Sequence, residues 1–258
     1  MTTRPPDDTA AATAEETDFG YRRIPAAEKA GAVRGVFESV AGRYDLMNDL
    51  MSAGIHRLWK DRMVDRLQPR AGERVLDLAG GTGDIAFRIL ARAPAAEVTV
   101  VDLTPAMLAV GRDRAIDRGL VAGIAWVAGD AERLPLADRS VDAVTIAFGL
   151  RNVTRRDRAL ADIRRVLRPG GRFLCLEFSR VALPGLDRIY DAYSFSVLPR
   201  LGRMVAGDPD SYRYLVESIR RFPDQPTLAG EMTVAGLEQV RWTNLSGGIA
   251  ALHSGWRL

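Results

Sequence analysis

The sequence predicts an α/β protein built on a mostly parallel sheet with helices on both faces, preceded by a helical segment. Three observations lead there. From about residue 74, short apolar runs alternate with helical stretches, the order of a chain that repeatedly crosses a sheet and returns by a helix. A glycine-rich loop, Ala79-Gly80-Gly81-Thr82-Gly83, joins the first of these runs to the helix that follows. The last apolar stretch, 236–256, splits around Gly247-Gly248 into two strands, which can complete the sheet as an antiparallel hairpin.

Residues 1–24 are rich in Ala, Thr, Asp, Glu and Pro and nearly free of large apolar groups, so they are expected as a disordered tail. Residues 25–72 form a helical preface: Val33, Val36, Phe37, Val40 and Tyr44, then Leu58, Met63 and Leu67, recur at helical spacing around a break at Ser52-Ala53-Gly54. Residues 73–258 are the expected core. Its strands are RVLDLA, EVTVVD, GIAWVAGD, SVDAVTIAF and GRFLCLEFS, with helices running to about Ala93, from Thr104 to Arg118, and around 155–168. Pro169-Gly170-Gly171 marks the turn into the fifth strand, and 184–236 reads as helical.

Composition narrows the function classes. The 258 residues carry 36 Lys+Arg against 33 Asp+Glu, a net charge of +3, and Lys29 and Lys60 are the only lysines. No dense basic stripe argues for nucleic acid. A single cysteine, Cys175, and two histidines, His56 and His253, exclude an internal disulfide and a zinc cluster. No window approaches the run of about 18 apolar residues that a spanning helix needs. The first twenty residues, with five acids and one Arg, resemble neither a secretory signal nor a transit peptide, so a cytoplasmic location is expected.

The glycine loop opens a helix directly after a strand, where glycines permit a tight turn and close approach of a ligand. Gly81-x-Gly83-x-x-Ala86 also fits a dinucleotide fingerprint, with Asp102 lying 19 residues beyond Gly83, so a nicotinamide or flavin enzyme stands as a rival, and a purely structural turn as a third reading. Asp84, in the first turn of the helix, favours S-adenosylmethionine, because its charge would repel a pyrophosphate seated there. Asp77 would favour the cationic methionine portion of that cofactor, the loop amides of Gly81, Thr82 and Gly83 its carboxylate, and Asp102 both ribose hydroxyls. Asp130 would accept from the adenine amino group, with the Ala131 amide beside the ring.

The block Tyr44-Asp45-Leu46-Met47-Asn48-Asp49-Leu50-Met51-Ser52-Ala53-Gly54-Ile55-His56-Arg57-Leu58-Trp59 resembles the signature of the ubiquinone/menaquinone biosynthesis C-methyltransferases, the UbiE/MenG type. Phe148-Gly149-Leu150-Arg151-Asn152-Val153, Arg165 through Gly171, Leu176-Glu177-Phe178 and Tyr190 through Phe195 are similar to its later motifs. One position departs: Ala147 stands where many relatives have Ser, removing a hydroxyl contact to the cofactor. The resemblance covers about residues 20–258. It implies a Rossmann-like class I methyltransferase fold, seven strands with the last antiparallel, and methylation of a ring carbon on a demethylated polyprenylated quinol. It implies a peripheral, reversible encounter with the membrane surface, and leaves open a homodimer or a quinone-synthesis complex. A catalytically silent cofactor-binding subunit of such a complex is the alternative from another class.

Adenosylmethionine already carries an activated methyl group, so the enzyme must supply alignment and an electron-rich ring carbon. One group that accepts a proton or stabilises phenolate suffices. Arg151, after the fourth strand, is the candidate by family position; the plain alternative is an arginine paired with an acid. Asn152 orients the quinol or closes the turn, and Tyr44 contacts the ring or packs in the core. His56 is a weaker candidate base; His253 and Cys175 read as structural. Residues 184–222, holding Tyr190, Tyr193, Tyr212, Tyr214, Phe195, Leu198, Met204 and Phe222 among arginines, read as a helical lid, a membrane-facing surface, or both.

Overall fold

A computed structural model describes residues 15–40, 49, 52, 54–120, 122–183, 185 and 209–258. It begins with an antiparallel hairpin of β1 (Glu16–Phe19) and β2 (Arg22–Pro25), inside the stretch expected as a tail through residue 24. The hairpin holds because of partners far away in sequence. Phe19 is buried and stacks on Tyr214 at 4.2 Å between ring centroids, and the Tyr21 amide donates to the Glu217 carboxylate at 2.9 Å. Local composition carries no trace of either contact.

Two helices follow, α1 (Ala26–Val40) and α2 (His56–Leu67). The alternating region then lays down β3 (Arg74–Leu78), α3 (Asp84–Arg92), β4 (Glu97–Asp102), α4 (Pro105–Asp117), β5 (Ile124–Ala128), β6 (Val141–Ala147), α5 (Arg156–Val166) and β7 (Leu167–Phe178). After α6 (Pro209–Arg221) and α7 (Gln225–Val234), the chain closes with β8 (Glu238–Leu245) and β9 (Ala250–Arg257). Local signals set the boundaries: Pro105 occupies the first turn of α4, and Asp224 caps α7 by accepting from the Thr227 amide at 3.1 Å. Pro169-Gly170-Gly171, expected as the turn into the fifth strand, lies within β7, where pairing with β6 jumps from Val141–Leu167 to Ala143–Arg172.

The seven strands stand in the order β5-β4-β3-β6-β7-β9-β8. Strands β3 to β7 are mutually parallel, and β9 runs antiparallel to both neighbours, β7 and β8. Because side chains alternate along a strand, the sheet feeds two cores. On one face Val75, Val98, Val100, Ala143 and Leu174 meet Trp59, Met63 and Leu67 of α2, Ile85 and Ile89 of α3, and Leu215 of α6. On the other, Leu76, Leu78, Val144, Ile146 and Phe173 meet Leu160 and Ile163 of α5 and Leu228 and Met232 of α7. All five parallel strands therefore end at one edge, beside the point where strand order reverses between β3 and β6.

Replacing Phe19 by Ala removes the apolar anchor of the hairpin. We expect accelerated amide hydrogen exchange confined to residues 16–25 and a loss of about 3 kcal/mol or less, with amides of β3 and β6 unchanged. Unaltered exchange in the hairpin would show that its docking does not depend on this ring.

Candidate active site

At the C-terminal edge of the parallel strands lies a cleft of about 730 Å³. Leu78 and Ala79 close its floor after β3, Asp102 stands at the end of β4, Asp130 and Ala131 follow β5, and Phe148, Gly149 and Asn152 follow β6. Helix α1 lines the opposite side with Ala30, Val33 and Phe37, residues whose helical spacing alone reads as ordinary core. Met107 of α4 completes the wall.

Asp102 accepts the Thr104 amide at 2.8 Å on one oxygen and the Gly81 amide at 2.9 Å on the other. Burial raises its pKa and these amides oppose the shift. Each oxygen keeps further acceptor capacity, and the residue lines the cleft. Gly81 has a φ of +54°, and a Cβ there would come within 3.1 Å of the Met107 methyl. Asp130 is held by the Glu132 amide at 2.9 Å. Asn152 accepts the Tyr214 hydroxyl at 3.0 Å, which leaves its amide nitrogen free to donate.

Three other sequence candidates do not reach the cleft wall. Asp77 pairs in register with Thr145 and is fully buried beneath the loop, on the side of α2 and α3. One of its oxygens accepts the Thr145 hydroxyl at 3.0 Å, and the other has no partner. Burial pushes its carboxyl up to about 7; Thr145, the Ala86 amide and Lys60 pull the other way, while Asp84 adds to the rise. Thr82 is buried with its hydroxyl accepting from Arg114 at 3.1 Å. Gly83, at φ +81°, gives its missing side chain to packing: a Cβ would stand 2.5 Å from the ring of Trp126.

Asp84 also behaves differently from the sequence expectation. Its carboxylate accepts from Lys60 at 2.9 Å and Arg88 at 3.1 Å, which outweigh burial and keep it ionised. So neutralised, it repels an incoming pyrophosphate less than a bare charge would. The cleft itself supplies the discrimination instead. Asp102, Asp130 and Glu132 line it, and among the described residues no Lys, Arg or His does. A diphosphate would meet only like charge, whereas a sulfonium cofactor fits.

Arg151 is buried, and its guanidinium donates to Glu177 at 2.7 Å and to the Phe148 carbonyl. The arginine-with-an-acid alternative thus describes part of this side chain, but its Nε and Nη2 remain without partners. Arg151 also lines a smaller chamber, together with Lys29, Thr154 and Tyr214. Glu177 is a single acid inside an apolar strand motif, and nothing along the chain marks Arg151 as its partner. Phe148 adopts φ +58°, which is strained for a bulky residue, and its ring packs on Phe178 at 4.8 Å. His56 is buried and bonded to Asp49 at 2.9 Å, with burial and Lys60 lowering its pKa; His253 bonds to the Gln225 carbonyl at 3.0 Å. Neither lines the cleft. Tyr44 lies outside the described residues.

The raised pKa of Asp77 sets a pH-dependent stability. Unfolded, the carboxyl ionises near 3.8, whereas folded it stays protonated to about 7, so stability falls as pH rises across that window. The advantage of Asp77→Asn over the parent in urea unfolding should therefore grow from near zero at pH 4 to as much as about 4 kcal/mol above pH 7. A difference independent of pH would refute the assignment.

Comparison with known proteins agrees with this geometry. The model of the ubiE/COQ5 methyltransferase family matches residues 25–257. The ubiquinone/menaquinone biosynthesis C-methyltransferase UbiE of Methylobacterium nodulans is 61% identical over 251 residues, covering 96% of this chain and 99% of that protein. Among solved structures, an S-adenosylmethionine-dependent methyltransferase from Thermotoga maritima superposes with a TM-score of 0.61 at 21% identity, covering 87% of this chain and 99% of that one. Phosphoethanolamine N-methyltransferase 2 of Haemonchus contortus, solved with S-adenosylmethionine, gives 0.57 at 15% identity, covering 77% and 52%. These structures share the fold, and the family match together with the 61% identity carries the assignment: this chain belongs to the ubiE/COQ5 methyltransferase family.

Proposed function

We propose that the protein transfers the methyl group of S-adenosylmethionine to a ring carbon of a demethylated polyprenylated quinol, a 2-polyprenyl-6-methoxy-1,4-benzoquinol, a demethylmenaquinol, or both. The observation that carries this reading is the charge of the cleft: among the described residues three carboxylates and no basic side chain, at the strand ends where this fold gathers its ligands. In this reading Asp102 accepts the ribose hydroxyls, Asp130 and Ala131 meet the adenine, and Gly81, the part of the glycine loop that lines the cleft, meets the methionine portion. Asp77 acts from below, as a buried carboxyl whose unpartnered oxygen faces Gly80 at the underside of the loop. The bound cofactor supplies a methyl group activated by its sulfonium.

The chain's own residues do the rest. Asn152 orients the acceptor through its free amide, and Arg151 stabilises negative charge on the ring oxygen as it ionises. Tyr44 is retained as a ring contact on the strength of the family resemblance. Residues 25–72 serve as the acceptor-side segment, consistent with α1 forming a wall of the cleft, and 73–258 as the methyltransferase core. A polyprenyl acceptor partitions into lipid at about 0.8 kcal/mol per methylene, so the enzyme meets it at the membrane surface. No helix of the described residues is long and apolar enough to cross a membrane. Of the 184–222 stretch, Tyr214, Leu215, Ile219 and Phe222 are buried against the core, so they form no lipid-facing surface. Tyr190, Tyr193, Phe195, Leu198 and Met204 lie outside the described residues.

Methyl transfer from labelled cofactor to each quinol class, measured side by side, tests the reaction. In the same assay Asp102→Ala should weaken cofactor binding by about 1.5–3 kcal/mol. Arg151→Ala should instead lower turnover far more than cofactor affinity, because its charge partner develops only along the reaction path. Equal losses in the two parameters for Arg151→Ala would return it to a structural role. Flotation with anionic vesicles should occur at low salt and diminish at high salt; a protein that never floats would point to delivery of the acceptor by another protein.

A further inference from the structure

Next to the cleft, with Thr154 lining both, the hairpin, α1 and α6 enclose a chamber of about 430 Å³ including its open mouth. Its charge is the reverse of the cleft's. Lys29, Arg151, Arg156 and Arg221 line it, against one carboxylate, Asp18. Arg156 is held in a two-pronged pair with Glu231 at 2.8 and 2.9 Å, and Arg151 spends one nitrogen on Glu177 and Phe148. Lys29 has no such compensation. It is only 6% exposed, yet its sole hydrogen bond is a long 3.4 Å contact to the Val153 carbonyl, and among the described residues no carboxylate lies within ion-pairing distance. Two of its three N–H donors are therefore unspent, and Arg151, which lines the same chamber, keeps two buried nitrogens without partners behind it.

Burying a cation without a partner is costly, and burial together with Arg156 holds the Lys29 ammonium below the usual lysine range, while Asp18 and Glu132 act more weakly in the opposite sense. An anion entering the chamber would relieve that cost. The chamber's position limits what the anion can be. Thr154 lines both chamber and cleft, so a ligand held in the chamber lies next to the cleft proposed for the methyl donor. Phe222 and the ring of Tyr214 give it aromatic walls, suited to a flat ring more than to a free inorganic ion.

We propose that Lys29, reinforced by the buried positive charge of Arg151 behind it, binds the ionised ring oxygen of the acceptor in this chamber. This rests on the reaction proposed above for the identity of the acceptor, but the chamber's preference for a phenolate can be measured without methyl transfer. The probe is 4-nitrophenol, whose ionised form absorbs visible light and whose neutral form does not. The parent protein should bind it as the phenolate, keep it ionised at a pH where the free phenol is largely neutral, and bind nitrobenzene, the uncharged analogue, about tenfold or more weakly. Lys29→Met should lose about tenfold in phenolate affinity, Lys29→Arg should recover part of it, and neither should change S-adenosylmethionine affinity. In methylation, Lys29→Met should lower turnover and abolish the dependence on acceptor ionisation. Equal binding of phenolate and nitrobenzene by the parent, a comparison that needs no variant to fold, would overturn the proposal. So would unchanged phenolate affinity in folded Lys29→Met, leaving Lys29 as a pin between α1 and Val153. Phenolate binding that depends on Lys29 in a protein that methylates neither quinol would uphold the chamber and reject the acceptor.

Discussion

The buried pair of Arg151 and Glu177 is the constraint on which the site depends. Glu177 stands in β7 and Arg151 in the turn after β6, so their contact ties the functional turn to the neighbouring strand. The same carboxylate also accepts the Arg151 amide at 3.3 Å and the Phe178 amide at 3.0 Å. Burial pushes the Glu177 pKa upward and Arg151 is the strongest influence against it. Removing one partner of such a pair typically costs about 3–5 kcal/mol. That restraint helps hold Phe148 at its positive φ, and with it the direction in which Asn152 and Arg151 leave the strand.

The two neighbouring residues of that turn line two different cavities. Asn152 faces a cleft lined by acids, and Arg151 a chamber lined by cations. The cationic methyl donor and anionic acceptor proposed above would each find favourable charge, in cavities that share Thr154 as a lining residue. Tyr214 couples the two, since its hydroxyl reaches Asn152 while its ring lies in the chamber and stacks on Phe19. The amino-terminal hairpin, through Thr17, Asp18 and Gly20, thereby forms part of the chamber wall.

Features generated by local pattern were legible in the sequence. The alternating apolar runs yielded β3 to β7, the glycine loop marked the turn after β3, and the spacing to Asp102 placed a carboxylate at the end of β4. What escaped was everything decided by distant partners. Asp84 lies 24 residues from Lys60, so its neutralisation is invisible along the chain. Gly83 and Thr82 look identical in role to Gly81 until Trp126 and Arg114 are seen packed behind them. The hairpin depends on Tyr214 and Glu217, almost two hundred residues away. Lys29 sits among small helix residues with nothing in the pattern to separate it from a solvated surface lysine.

The chain contains two lysines, and both are inside: Lys29 at 6% and Lys60 at 4% exposure. Every cationic side chain on the surface is therefore an arginine, apart from any histidine that becomes protonated. Guanidinium groups keep their charge at any pH a protein survives, so the surface does not shed positive charge through lysine titration in mild alkali. It is also chemically quiet toward reagents that acylate or cross-link side-chain amines. Acetylation has no exposed lysine to act on, and amine-directed fluorophores or surface supports would attach through the chain's amino terminus alone.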